Sequence, residues 1–248
     1  MRVLLSCDME GATGVVSFDQ VSRGTSEYEF GRDMQLKDTL AVIAGAREAG
    51  AHRILINDAH ESMRNLDVRA LPRDVELLSG WPKNLCMMEG APEADVALLV
   101  AYHAMAGTER AVLDHTMSAA AVHEVRLNGR AVGEIGLGAA LCGALGLPVA
   151  LVTGDVAACL EAESLLPGVV TCPVKEGHGR FSARVLTPEV TAERLAQADA
   201  FWAAEEKLQR EVYGIGPVRH ILNRRFLEMP WYKSWASQPP PSQPRPEQ

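Results

Sequence analysis

Three apolar runs in this 248-residue chain end in side chains that can hold a metal or move a proton. VLLSCDMEG delivers Asp8 and Glu10, RILINDAH delivers His60, and VALLVAYH delivers His103. Glu134 closes a later segment and can fold back over the same edge. Acids at i and i+2 share one side of an extended chain, because side chains alternate. Two like charges there repel unless a cation, an Arg or Lys, or open water stands between them. Carboxylates and imidazoles are the donor set for zinc or another divalent transition ion. Five such groups exceed what one catalytic zinc needs. They point to two ions sharing a carboxylate, with Asp8, deepest in its strand, as the bridge.

Taken singly, each residue has a plainer role. An acid after a strand is ordinarily a turn or capping group, and a strand-end histidine is ordinarily hydrogen-bonded. The recurrence at several strand ends is what selects a metal site. His115, in VLDHTMSAAAV, is open to three roles: general base, nucleophile or further ligand. His52 and His220 are expected at the surface, His123 has no assigned role, and His178 in EGHGR belongs to a loop that could contact substrate. Cys7 points away from Asp8 and is expected as a packed thiol. Gly136 and Gly138 in GEIGLG lack the strand-then-glycine order of a dinucleotide loop.

These side chains need elements to carry them. Strands are expected at 2–7, 52–58, 95–103 and 147–155, as continuous apolar runs typical of strands covered on both faces. Met34, Leu36, Leu40, Ile43 and Ala44 space a helix over 25–49 that Gly50 closes. Strand, helix, strand implies a right-handed parallel crossover, and such sheets bind ligands at their carboxyl edge. Asn128-Gly129 marks a hairpin within 123–134. Helices are expected at 134–145, at 156–166, and from Thr187-Pro188-Glu189 to about 210. The fold class is therefore α/β: a mostly parallel sheet covered by helices, with a smaller C-terminal domain. The expected limits are a catalytic domain at 1–175, a smaller segment at 176–230 and a Pro-rich disordered tail at 231–248.

Bulk properties exclude several classes. A net charge of −8 argues against nucleic acid or an anionic membrane as partner. Five cysteines, without a CxxC, argue against a disulfide framework or thiolate zinc site. No signal-peptide pattern opens the chain, and the apolar stretch 94–106 is too short to span a bilayer. A soluble cytoplasmic protein is expected.

The motifs CDMEG (7–11), NDAHESMRNL (57–66), LLSG (77–80), MMEG (87–90), YHAMAG (102–107), DHTMS (114–118), LNGRAVGEIGL (127–137) and VTGD (152–155) occur in one order. In that order the chain resembles the D-aminopeptidases, self-compartmentalising dizinc peptidases of bacterial dipeptide operons. The resemblance covers roughly residues 1–175. It implies that Asp8, Glu10, His60, His103 and Glu134 hold two Zn²⁺ per subunit and that His115 is the catalytic histidine. The implied reaction releases an N-terminal D-amino acid from short peptides or amides. The implied assembly is a homodecamer with its sites facing an inner chamber. Beyond about residue 205 the pattern departs from the family, as in a shortened second domain, which leaves the oligomer and pocket open. The rival readings are a metal-dependent hydrolase of another amide, ester or phosphoester bond, a degenerate family member, and a non-catalytic α/β scaffold.

Overall fold

The computed structural model describes residues 1–198. In chain order the elements are β1 (Arg2–Cys7), α1 (Tyr28–Glu48), β2 (Arg53–Asp58), β3 (Val75–Leu78), β4 (Val96–Tyr102), β5 (Val125–Leu127), β6 (Arg130–Val132), α2 (Glu134–Ala144), β7 (Val149–Asp155), α3 (Val156–Leu165), β8 (Val170–Gly179) and β9 (Ser182–Val185). Seven strands form one sheet in the order β3-β2-β1-β4-β7-β8-β9. Every pairing in it is parallel except β8 with β9. β5 and β6 form a separate antiparallel hairpin.

Both faces of the sheet are covered, as the unbroken apolar runs require. Val3, Leu5, Ile54, Ile56, Val96 and Leu98 share one core with Met34, Val42, Ile43 and Ala46 of α1. Leu4, Leu55, Ala97 and Leu99 face the other way, into a core with Ile135 and Ala139 of α2 and Ala158 and Ala162 of α3. Alternate residues of each strand thus serve opposite cores. Each such Leu, Ile or Val contributes roughly 1.5–3 kcal/mol on burial. No helix among the described residues is long and apolar enough to cross a membrane.

From β1 the sheet grows in both directions, with β2 on one side and β4 on the other. Such a switch point opens a crevice at the strands' carboxyl ends. A local distortion shapes this one. Ala101 takes φ 59°, and the β4–β7 register shifts between Leu99 and Tyr102. The Thr153 hydroxyl accepts from Ala101 N at 2.8 Å at this kink. The Tyr102 carbonyl then sits between two glycines, where a Cβ on either Gly11 or Gly154 would lie 2.0 Å from its oxygen. The glycine of CDMEG and that of VTGD let three strand ends close up, and the kink turns His103 into the crevice.

The structure departs from the sequence expectations in detail. β1 ends at Cys7, so Glu10 stands in a turn rather than on the strand. Asp8 and Glu10 converge because the chain bends there, not because of strand alternation. The bend is held by Ala12 N donating to Met9 O at 3.1 Å and Gly11 N to Ala101 O at 2.8 Å. Ala44 of the expected helical stripe is exposed, whereas Val42 and Ala46 are buried. β3, β8 and β9 carry no clear periodic pattern. The boundary expected at 175/176 lies within β8, and a helix over 188–198 places Leu195 in the α1-side core. The remainder of that helix, most of the 176–230 segment, the tail at 231–248 and His220 lie outside the described residues.

Candidate metal centre

Three hydrogen-bonded loops present the histidines at the switch point. In NDAHESMRNL, Asp58 accepts from Asn65 N (2.5 Å), Asn65 Nδ2 (2.8 Å) and Leu66 N (2.8 Å). Asn65 Nδ2 also donates to His60 O at 2.8 Å, so the loop folds around His60. YHAMAG and DHTMS are joined to each other. Asp114 accepts from Gly107 N at 2.6 Å, and His115 N donates to Ala104 O at 3.3 Å. The His103 and His115 rings consequently stack, with centroids 3.9 Å apart and planes 13° from parallel. Asp155 of VTGD fixes the approach to His115, accepting from Val112 N at 2.6 Å while capping α3 through Ala158 N at 2.8 Å. Glu134 opens α2, and its Oε1 accepts from Met117 N at 2.6 Å.

Asp8, Glu10, His60, His103, His115 and Glu134 are all brought together and all buried. His60 Nδ1 lies 3.3 Å from Asp8 Oδ1 and 2.9 Å from Glu10 Oε2. His103 Nε2 lies 3.5 Å from Asp8 Oδ2 and 3.4 Å from Glu134 Oε1. His115 Nε2 is farther out, 3.7 Å from Glu10 Oε1 and 3.8 Å from Glu134 Oε1. Two overlapping donor groups result: Asp8, Glu10 and His103, and His103, His115 and Glu134, each within 4.8 Å.

The protons on the imidazoles show what this cluster lacks. His60 Nε2 faces Val21 O at 2.8 Å, His103 Nδ1 faces Ala104 O at 3.0 Å, and His115 Nδ1 faces Leu113 O at 2.8 Å. A carbonyl only accepts, so each of these nitrogens donates. The other nitrogen of each ring is aimed at carboxylate oxygens, and in the neutral ring it would carry a lone pair there. Asp8 Oδ2, Glu10 Oε2 and His103 Nε2 are buried without any hydrogen bond, despite the short approach of His60 to Glu10. Lone pairs facing lone pairs in a buried site require a proton or a metal ion between them. Histidines held by backbone carbonyls at the far nitrogen are the usual second layer of a metal site. The residues therefore fit zinc in donor type, burial and proton placement.

Without a metal, protons must do this work. Burial, then the neighbouring Glu10, pushes the Asp8 carboxyl up to about 7. Burial alone would also raise Glu10, but His60, His103 and His115 hold it well below the usual carboxylate range. Burial opposes charge on His60 and His103, yet the facing carboxylates hold both well above the ordinary imidazole value. Burial and then His103 pull His115 below it. One divalent ion would leave three buried carboxylates undercompensated. Two would leave one positive charge, to be balanced by a hydroxide or an incoming anion.

A cavity of about 710 Å³ opens over the cluster, with Phe18, Val21, Met63, Trp81, Met87 and Met117 in its walls. His115 faces it with 11% of its side chain exposed, whereas His103 lies beneath at 1%. The other sequence candidates stay outside. His52, His123 and His178 are exposed, the last on β8 rather than in a loop. Cys7 packs in the α1-side core, where burial pushes its thiol up to about 12. Gly136 and Gly138 serve close packing against Val132 and Met88. Sequence reasoning missed the residues that hold the donors' backbone. Gln35 of α1 donates to Asp8 O at 2.9 Å, and Lys175 of β8 is buried beneath Glu10. A lysine directly after the apolar run CPV, in CPVKEG, was the available signal.

The model of the peptidase family M55, described as D-aminopeptidase, matches residues 1–220. The D-aminopeptidase of Bacillus subtilis (strain 168) is 37% identical over 202 residues, covering 81% of this chain and 73% of that protein. A solved structure, the Zn-dependent D-aminopeptidase DppA from Bacillus subtilis, described as a self-compartmentalizing protease, superposes with a TM-score of 0.80. It is 36% identical, and the match covers 84% of this chain and 75% of that one.

Proposed function

This chain belongs to the D-aminopeptidase family, and from that membership we propose a zinc-dependent aminopeptidase that releases N-terminal D-amino acids from short peptides or amides. The single observation that carries the chemistry is the set of buried carboxylate and imidazole atoms that face one another at the switch point without a hydrogen bond. Asp8, Glu10, His60, His103 and Glu134 would hold two Zn²⁺ ions, with Asp8 between them. Asp8 supports that place because its two oxygens face different histidines, Oδ1 toward His60 and Oδ2 toward His103.

Bound zinc supplies Lewis-acid polarisation of the scissile carbonyl and lowers the pKa of water. The protein supplies the rest. His115 holds its Nδ1 proton on Leu113 O, so Nε2 is the atom that exchanges protons with substrate. Its stacking on His103 and its edge contact with Phe18, centroids 6.0 Å apart, fix the ring plane. Phe18, Trp81 and Met117 line an apolar approach that displaces water from the reacting bond. The chain's net charge of −8 is compatible with a substrate whose amino terminus is cationic. The enzyme would act as a soluble cytoplasmic homo-oligomer, a decamer enclosing its sites; the relative described as self-compartmentalizing supports the enclosure.

Zinc titration of the metal-free protein with D-Ala-para-nitroanilide, its L-isomer and a phosphoester tests this proposal. Hydrolysis of the D-isomer is expected to appear with zinc and to plateau at two equivalents. No metal-dependent hydrolysis of either isomer, or hydrolysis of the phosphoester instead, would overturn it.

A further inference from the structure

We propose that Lys175 is a positioning residue for one of the two metal ions, acting through the backbone of Glu10; this rests on the dizinc reading of the site. Lys175 is 3% exposed. Its Nζ donates to Glu10 O at 2.6 Å, Ala12 O at 2.8 Å and Val15 O at 2.6 Å. An ammonium has three protons, and all three are used on one short segment. A buried cation is costly unless hydrogen-bonded and balanced. The carbonyls meet the first need; burial still pulls the ammonium down to about 8, and the nearby charges of Asp155, Asp38 and Glu10 offset only part of that cost.

The topology explains why a tether is needed. β8 lies three places from β1 in the sheet, beyond β4 and β7. The segment leaving β1 crosses the carboxyl edge to reach Lys175. Asp38 of α1 secures the same segment, accepting from Thr13 N and Thr13 Oγ1, both at 2.8 Å. Glu10 is thus fixed at its carbonyl, while its carboxylate stays free for a cation. Glu10 belongs to the donor group with Asp8 and His103, whereas the group of His103, His115 and Glu134 does not include it. Loosening Glu10 should therefore weaken one ion and spare the other. A residue needed only for folding would affect both alike.

The test is zinc binding by the metal-free full-length chain, read against a chromophoric chelator. Wild type is expected to bind two ions. Lys175→Met keeps the side chain's length and removes its donors. In that variant one ion should hold its affinity within about threefold, while the other weakens by about 10- to 100-fold, the usual range for lost outer-layer support. Lys175→Gln keeps amide donors and should fall between. Two ions bound as in wild type, or both weakened equally, would overturn the proposal. Failure of both variants to fold in excess zinc would mark Lys175 as a general folding residue and overturn it too. A wild-type chain that binds no zinc would instead refute the dizinc reading itself.

Discussion

Asp8→Asn is expected to lower kcat/KM by on the order of 10³ or more and to reduce bound zinc from two ions to one or none. The substitution keeps the shape and removes the charge that faces both His60 and His103. Losing metal polarisation of a carbonyl forfeits several kcal/mol of transition-state stabilisation, and each 1.36 kcal/mol is a factor of about ten. The same change should make the metal-free protein more stable, not less. Burial and Glu10 already push the Asp8 carboxyl up to about 7, so the charge is unfavourable there without a cation. A neutral amide removes that repulsion. Metal analysis, kinetics and thermal melting of the metal-free variant read all three effects. Full activity with two ions bound would remove Asp8 from its bridging place.

His115→Gln is expected to reduce kcat by about 10²- to 10⁴-fold, the range for loss of a positioned acid–base group, while both zinc ions remain. The geometry sets this apart from loss of a ligand. His115 Nε2 stands 3.7 and 3.8 Å from the nearest carboxylates, whereas His103 Nε2 stands 3.5 and 3.4 Å from its own. His115 also faces the cavity, from which His103 is shielded. Activity and zinc content must be measured on the same sample, because His115 also lies within ligand reach of His103 and Glu134. Undiminished kcat would exclude it from proton transfer. Loss of one zinc would make it a ligand.

Much of this was legible before folding was considered. β1, β2, β4 and β7 are unbroken apolar runs, and the metal-capable side chains stand where those runs end or the hairpin hands over to α2. The pattern is readable because a strand covered on both faces leaves little freedom in residue type. β3 and β9 were not legible, since they are short strands at the two edges with half-exposed or exposed side chains and no required period. β8 was obscured by Pro173 and Lys175. The lysine is tolerated there only because carbonyls at least 160 residues away in sequence accept its protons. The kink at Ala101 was equally hidden. It depends on Gly11, Thr153 and Gly154 meeting around Tyr102, and no local rule links those four positions.

The most direct measurement is anomalous diffraction at the zinc edge from zinc-loaded crystals. Two peaks are expected, about 3.5–4 Å apart, with Asp8 touching both and Glu10, His60, His103 and Glu134 completing the contacts at about 2.0–2.2 Å. A single peak, or peaks that these side chains do not reach, would contradict the account.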